Sequence, residues 1–172
     1  LLQGMGIRGE VRPGGESYHH PGRCARIVAR DRTLAVLGEV HPAVGEAFDM
    51  PERALLAEVD VEQIRACALP MERVEPLPRY PAVGRDLALV MAKEQPVGPV
   101  MAAMEEAGAP LMEACRMFDV YRGAQLGEGK KSVAFALSFR AWDHTLTEGE
   151  VAEALGRVLA VCEERFGAVL RA

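Results

Sequence analysis

Residues 132–140 alternate strictly between apolar and small or polar side chains. Successive side chains of a strand point to opposite faces of a sheet, so an alternation with a period of two predicts a strand. Shorter apolar runs at residues 86–91 and 116–121 predict two further strands. In the strand at residues 132–140, the buried face would be formed by Val133, Phe135, Leu137 and Phe139.

Two segments carry the spacing of amphipathic helices. Apolar residues in 96–107 recur at i, i+3, i+4 and i+7, which predicts a helix, with Gly108 closing it as the C′ residue. Thr147 and Glu150 have the spacing of a capping box, in which two side chains satisfy free backbone donors at a helix start. The second helix is therefore expected after Thr147, with Gly167 at its end and a short strand at residues 169–170.

The predicted order of strand, helix, strand, strand, helix, strand is that of the ferredoxin-like fold. We therefore predict an α+β domain whose antiparallel sheet carries both helices on one face. Leu87, Leu89, Phe118 and Val120 would face the helices together with the apolar side of residues 132–140. The opposite face would be open and would show Asp86, Ala88, Asp119, Tyr121, Ser132, Ala134, Ala136, Ser138 and Arg140.

The first part of the chain, residues 1–76, is less regular and resembles the tail of an α/β core. Residues 8–20 are rich in Gly, Pro and charge and predict a loop. Two β-prone runs that follow, separated by a short turn at Asp31-Arg32-Thr33, predict a hairpin. Helices are expected at residues 42–48 and, after Asp60 as N-cap, at 61–68. Four prolines between residues 70 and 81 predict a linker, which places a domain boundary near residue 77 and a second domain at 77–172.

The composition is that of an ordinary globular protein, with 49% hydrophobic and 26% charged residues among 172. No apolar run approaches the roughly 18 residues that a membrane span needs, and no signal peptide is recognisable. The four cysteines have no paired spacing, so a reducing cytoplasm is expected. No metal site is predicted, because no carboxylate stands at ligand spacing beside the metal-like set His19, His20, Cys24 and His41.

A net charge of −5 excludes a general electrostatic binder of nucleic acid, so any RNA site must be a local patch. The segment 116–140 has five basic and only two acidic residues. Its Gly-rich loop would be able to follow a phosphate backbone, although a solvated hairpin tip explains the composition equally well. The candidate backbone contacts are Arg122, Lys130, Lys131 and Arg140.

The open face permits two interpretations. A floor of small side chains would let a planar base lie close to the sheet, with Asp119 and Ser132 placed to bond its edge, as in the recognition of single-stranded RNA. Small side chains would equally allow another domain to pack closely on the same face. The pattern alone favours neither interpretation.

Residues 79–90, 118–123, 129–132 and 139–151 match, in this order, motifs of one family. They resemble the ferredoxin-fold anticodon-binding domain at the end of the β subunit of bacterial phenylalanyl-tRNA synthetases. Motifs of the first part, such as His20-Pro21-Gly22-Arg23 and Gly38-Glu39-Val40-His41-Pro42, are similar to the end of that subunit's class II synthetase-like core.

The resemblance implies a part of an α2β2 ligase that joins phenylalanine to tRNA(Phe) with ATP and magnesium. Catalysis would belong to the α subunit, so the chain itself is expected to be non-catalytic, to hold no cofactor and to be the C-terminal part of the β subunit. The resemblance also implies that the terminal domain binds the tRNA anticodon. The contacting positions would be Ala88, Asp119, Ser132 and Phe166.

Other features leave alternatives open. A ferredoxin-like domain is also able to serve as a regulatory module that binds an amino acid, although the first strand–helix junction lacks a Gly-rich ligand turn. Trp142 and His144 depart from the residues that the family commonly has at these positions. Both are expected only to shape the loop before the last helix.

Overall fold

The computed structural model describes residues 2–68 and 77–171, which form two compact units. The first lies within Leu1–Glu75 and the second within Pro76–Ala172. Most of the predicted proline linker falls at residues 69–76, outside the described residues. Within the described ranges, no helix combines the length and apolarity needed to cross a membrane.

The first unit is a four-stranded antiparallel sheet in the order β1-β2-β3-β4. A 3-10 helix at Gln3–Met5 precedes the sheet, one short helix lies between β3 and β4, and another follows β4. The bounds are β1 Glu10–Pro13, β2 His19–Ala29, β3 Arg32–Val40, α1 Pro42–Ala47, β4 Leu55–Val59 and α2 Val61–Cys67.

The predicted hairpin is confirmed as β2 and β3. Its turn lies one residue earlier than predicted, because Arg32 and Thr33 already pair with β2. The turn residues Arg30 and Asp31 both have positive φ, which matches the twist of a two-residue hairpin turn. The loop predicted at residues 8–20 is wrong in part, because Glu10–Pro13 pairs with β2 and because β2 itself begins at His19. All four residues of this edge strand are exposed, and a solvated edge tolerates polar residues and proline, so no alternation revealed it.

Both short helices of the first unit are confirmed. The carboxylate of Asp60 accepts a hydrogen bond from the backbone N–H of Gln63 at 3.0 Å, as expected of an N-cap. Helix α2 then buries Ile64 and Cys67 in a small cluster, which also contains Ile7, Ala29 and Leu34.

The second unit has the predicted ferredoxin-like order and an antiparallel sheet in the order β6-β7-β5-β8. Its alternating strand behaves as predicted, since Phe135 and Phe139 are fully buried beneath the two helices. The helices add Met104 and Val158 to the same core. The bounds are β5 Val83–Ala92, α3 Val97–Gly108, β6 Met112–Tyr121, β7 Lys130–Phe139, α4 Glu148–Phe166 and β8 Val169–Leu170.

The ends of the two helices were predicted with different success. The capping box at Thr147 and Glu150 is formed, and Gly167 ends α4 with a φ of 58°. Gly108, however, is the last residue of α3 and not a left-handed C′ residue. Pro110 disfavours helical backbone at the residue before it, which ends α3. Gly108 instead gives room to Met112, whose side chain a Cβ would meet at 2.6 Å.

Strand β6 departs from the predicted pattern at Phe118. Met117 pairs with Phe135 and Asp119 with Ala134, so Phe118 is an extra residue in a β-bulge. It was expected to face the helices, but it is 51% exposed. Beyond the bulge the pattern resumes, and Val120 packs against the core as predicted.

Candidate nucleic-acid interface on the open sheet face

The face of the second sheet turned away from its helices, here called the open face, is built of cross-strand rows. In one row Asp119 lies opposite Ala134, which lies opposite Ala88. In the neighbouring row Tyr121 lies opposite Ser132, which pairs with Val90 and, through it, Val169. Strand register therefore brings three predicted anticodon positions together, although they are far apart in the chain.

The three positions differ in accessibility. Asp119 is exposed on the edge strand, Ala88 is half-buried in β5, and Ser132 is only 3% exposed in the central strand β7. Ala134 separates Ala88 from Asp119 and is also half-buried. The result is a shallow floor of small side chains with a carboxylate at its edge.

The fourth predicted position, Phe166, is not among these rows. It is the last residue of α4 and is half-buried, with its ring packed against the core beneath the helices. The left-handed Gly167 then turns the chain into β8. Phe166 therefore lies outside the strand rows that hold the other three positions.

The sequence pattern missed Arg171, which the structure places on the open face. Its backbone N–H donates to the carbonyl of Ala88 at 2.8 Å, which aligns it with the row of Asp119. Its guanidinium carbon lies 5.1 Å from the ring centre of Tyr121, within the range of a cation–π contact. Only the pairing of β8 with β5 could have revealed this position, because Arg171 follows the last short strand.

The ring of Tyr121 folds back over the start of the β6–β7 connection. A Cβ at Gly123 would overlap its hydroxyl, so the glycine makes this orientation of the ring possible. Tyr121 and Arg171 together place a planar aromatic ring and a planar cation beside the floor. Both groups are able to stack on a nucleobase.

The carboxylate of Asp119 has no ion-pair or side-chain hydrogen-bond partner in the part of the chain that the structure describes. The two arginines that were weighed as structural partners are engaged elsewhere. Arg85 pairs with Glu148 at 2.6 Å, and Arg140 pairs with Glu113 at 3.1 Å. Asp119 therefore keeps its oxygens available to accept hydrogen bonds from a ligand.

The four candidate backbone contacts fall into two groups. Arg122 and Lys130 are exposed at opposite ends of the β6–β7 connection. Gly127 and Gly129 have positive φ there, which gives the connection its tight path. Two exposed cations on a tightly turned connection are suited to positioning phosphates.

The side chains of Lys131 and Arg140 are mostly buried and donate hydrogen bonds to other groups of the second unit. Lys131 is only 6% exposed, and its ammonium donates to the carbonyl of Gln95 at 2.5 Å. Burial, together with the nearby charge of Arg122, lowers the pKa of Lys131. Arg140 donates to Glu113 and to the carbonyl of Tyr80, and its side chain is 17% exposed.

The loop before α4 presents both unusual residues. Trp142 is 61% exposed, whereas His144 is held between Asp143 and Glu150, with both contacts at 2.8 Å. Hydrogen bonds to Glu150 and Asp143 raise the pKa of His144. The capping bonds from Thr147, with a further contribution from His144, lower the pKa of Glu150 to about 2.

The set of His19, His20, Cys24 and His41 lies in the first unit. Within the described residues, no group of three or more His, Cys, Asp or Glu side chains has the geometry to hold a metal ion. The ring of His19 is buried, and its Nδ1 accepts from the backbone N–H of Glu16 at 3.2 Å. His20 and His41 likewise each accept a bond from a nearby backbone N–H.

Comparison with known proteins assigns a family to each part of the chain. Residues 78–171 match the model of the ferredoxin-fold anticodon binding domain, and residues 1–61 match that of the phenylalanyl tRNA synthetase beta chain CLM domain. Similar curated proteins are named phenylalanine–tRNA ligase beta subunit. That of Moorella thermoacetica is 47% identical over 90% of this chain, and that of Geobacillus kaustophilus is 42% identical over 99%. These alignments cover 19% and 21% of the relatives, so the chain spans about a fifth of their length.

Proposed function

The chain belongs to the family of the ferredoxin-fold anticodon-binding domain, and on that premise we propose that its second unit binds the anticodon of tRNA(Phe). It would do so as part of the β subunit of a phenylalanine–tRNA ligase, the name that its relatives carry. The observation that carries the proposal is the alignment of Ala88, Asp119 and Ser132 on one open face, where the Asp119 carboxylate has no side-chain partner among residues 2–68 and 77–171.

The chemistry of the floor suits a flat base. Ala88 and Ala134 have no side chain long enough to keep an aromatic ring away from the sheet. A base lying there would direct its edge toward Asp119, whose two oxygens accept but do not donate. Guanine offers a ring N–H and an amino group side by side, which is the donor pair that a carboxylate binds in two places.

Stacking would supply the remaining base contact. Tyr121 presents its ring beside the floor, and stacking of a base on an aromatic side chain contributes about 1–3 kcal/mol. Arg122 and Lys130 would hold the phosphates on either side and so fix the register of the strand. Phe166 would take part only at the margin of the site, since its ring packs against the core.

The rest of the enzyme would supply catalysis. In this proposal the α subunit activates phenylalanine with ATP and magnesium in an α2β2 assembly in the cytoplasm, and residues 1–76 belong to a non-catalytic core. The chain's own contribution is to bind and orient the anticodon end of the tRNA. We assign no catalytic residue to it.

The test is a binding titration of the 172-residue chain with tRNA(Phe) and with the same tRNA carrying a different anticodon. Preferential binding of the natural anticodon, lost on substitution at Asp119, supports the proposal. Equal binding of both tRNAs would contradict it. Saturable binding of phenylalanine by the second unit, without discrimination between the tRNAs, would favour an amino-acid-binding regulatory module.

A further inference from the structure

Arg171 carries an exposed cation on the open face, in line with the row of Asp119. Its backbone N–H donates to the carbonyl of Ala88, which lies opposite Ala134 and, through it, Asp119. Residues that lie opposite each other in an antiparallel sheet share one face, so Arg171 belongs to the same face as Ala88. The row therefore has an acidic residue at one edge of the sheet and a basic residue at the other.

The charge of Arg171 is not neutralised by the described part of the fold. No residue that the structure describes forms an ion pair or a side-chain hydrogen bond with its guanidinium. Four other arginines of the second unit each pair with a glutamate, namely Arg85, Arg140, Arg157 and Arg165. Arg171 thus differs from them, because its donors have no carboxylate to bind.

The contact of Arg171 with Tyr121 leaves these donors available. The guanidinium carbon lies 5.1 Å from the ring centre, and a cation–π contact at this distance is an attraction between the charge and the ring. The ring supplies no oxygen or nitrogen acceptor for the five N–H groups of the guanidinium. The contact does favour one place for a long, flexible side chain, which lowers the entropy cost of binding a ligand there.

The charges around Tyr121 also favour an anion. Arg122 follows it in the chain, Lys130 ends the same connection, and both are exposed. With Arg171 they place three cations against two carboxylates, those of Asp119 and Glu128. This end of the open face is therefore net positive, although the whole chain has a net charge of −5.

A nucleotide has groups that match both ends of the row. The edge of its base offers hydrogen-bond donors, which suit the carboxylate of Asp119, and its phosphate offers anionic acceptor oxygens. The planar fork of an arginine matches two oxygens of a phosphate, whereas a lysine binds it as a point charge. An arginine with free donors on a face that binds RNA is therefore suited to the phosphate.

We propose that Arg171 binds a phosphate of the RNA strand that lies on the open face, with its guanidinium placed by the ring of Tyr121. The inference rests on the anticodon site proposed above and adds to it a contact that reads no base. The ring of Tyr121 would carry the cation on one face and the stacked base on the other.

The experiment measures binding of the 172-residue chain to tRNA(Phe), and to the same tRNA with a different anticodon, at several salt concentrations. Arg171→Gln should lose about tenfold in affinity for both tRNAs, because a phosphate is present in each. The dependence of log K on log salt should become shallower by about 0.7, the slope for one phosphate of a single strand. Arg171→Lys should keep the slope and have an intermediate affinity. Arg165→Gln, which removes an arginine paired with Glu106 between the two helices, is the matched control and should leave both quantities unchanged.

The outcomes separate this proposal from the anticodon site. Unchanged affinity and slope in Arg171→Gln, in a chain that still prefers the natural anticodon, would overturn the phosphate contact alone. Equal binding of both tRNAs by the unmodified chain, with a shallower slope for Arg171→Gln, would support the phosphate contact and contradict anticodon recognition. Absence of any tRNA binding by the unmodified chain would overturn both. Earlier melting of Arg171→Gln with an unchanged slope would mean that the side chain only fastens β8, and the proposal would then be wrong.

A double variant tests the role of the ring in placing the guanidinium. If Tyr121 acts partly through Arg171, the combined loss of affinity in Tyr121→Ala with Arg171→Gln should be smaller than the product of the two single losses. Losses that multiply would overturn the placing role of Tyr121.

Discussion

Arg171 and Tyr121 meet on the open face although they belong to opposite edges of the sheet. The guanidinium carbon of Arg171 lies 5.1 Å from the ring centre of Tyr121, while β5 and β7 separate their strands. The exposed ring of Tyr121 is thus in contact with a cation from the opposite edge of the sheet.

Removal of the Tyr121 ring should reduce the free energy of RNA binding by more than it reduces the free energy of unfolding. We expect Tyr121→Ala to reduce affinity for tRNA(Phe) by about 1–3 kcal/mol, the scale of one lost base–aromatic stack. The cation–π contact itself is exposed and contributes only about 0.5–1 kcal/mol. Tyr121→Phe keeps the stack and is the matched control. Binding by filter retention and melting by circular dichroism separate the two effects, and a large loss of stability with unchanged affinity would contradict the prediction.

The bulge in β6 leads to a contrast between two phenylalanines. Phe135 is fully buried, so Phe135→Ala should destabilise the second unit by about 3–5 kcal/mol. Phe118 is 51% exposed, and Phe118→Ala should cost less than about 1 kcal/mol. Chemical denaturation of both variants measures the difference. Equal losses would mean that Phe118 belongs to the core, as its place in the sequence pattern suggested.

The sequence predicted those features that depend on neighbouring residues. The alternation around Phe135 and the capping box at Thr147 are local, and the structure contains both. The bulge at Phe118 could not be predicted, because it depends on how β6 aligns with a strand more than ten residues away. The strand Glu10–Pro13 was not predicted either. All of its residues are exposed at the edge of the sheet, and such a strand does not require alternating apolar and polar side chains.

In the candidate site, too, the sequence predicted what depends on neighbouring residues and missed what depends on distant ones. Alternation placed Asp119 and Ser132 on the open face, and the register agrees. It could not show that Ser132 is almost covered or that Lys131 is buried, because burial depends on side chains brought from other elements. Arg171 follows the last strand and enters the site only through the pairing of β8 with β5.

Lys130 and Lys131 are adjacent but should affect RNA binding differently. Lys130 is exposed, so Lys130→Gln should make the dependence of log K on log salt shallower by about 0.7, the slope for one phosphate of a single strand. Lys131 donates to the carbonyl of Gln95 from a buried position, so Lys131→Met should leave that slope unchanged. Titrations at several salt concentrations measure both slopes. A shallower slope for Lys131→Met would show that its ammonium reaches the RNA.

His144 should make the stability of the second unit depend on pH. Its pKa is raised by Glu150 and Asp143, so the folded chain holds the proton more tightly than the unfolded chain. The stabilisation is therefore complete below the ordinary pKa of about 6.5 and is lost as the pH rises through the raised pKa. Glu150, with its pKa lowered to about 2, remains ionised throughout that range.

We therefore expect His144→Gln to lower the melting temperature at about pH 6 and to have a smaller effect at about pH 9. Trp142→Ala, in the same loop, should show no such dependence. Both variants should bind tRNA within about threefold of the unmodified chain, because a surface contact without a base partner contributes less than about 1 kcal/mol. An effect of His144→Gln that grows with pH, or a tenfold loss of affinity for Trp142→Ala, would contradict these roles.

Asp119 provides the most direct test of the anticodon site, and Asp86 is its natural control. Both are exposed aspartates on the open face, and each lies opposite an alanine of β7, Ala134 for Asp119 and Ala136 for Asp86. Loss of a carboxylate that accepts two bonds from a base edge should cost about 1–3 kcal/mol, or roughly 5- to 150-fold in affinity. Asp119→Ala should therefore weaken binding of tRNA(Phe) while its melting temperature stays near that of the unmodified chain.

Substitution of Asp86 by alanine should not lower the affinity for tRNA(Phe). Removal of a negative charge near a polyanion favours binding unless that charge accepts a specific bond, so Asp86→Ala should bind tRNA(Phe) equally well or slightly more tightly. A structural role for Asp119 would instead appear as earlier melting with normal tRNA affinity. Because Arg85 is already paired with Glu148 and Arg140 with Glu113, the fold offers Asp119 neither of these cations as a partner. Equal loss of affinity in Asp119→Ala and Asp86→Ala would mean that the face contributes only its charge, and the assignment of Asp119 to a base edge would then be wrong.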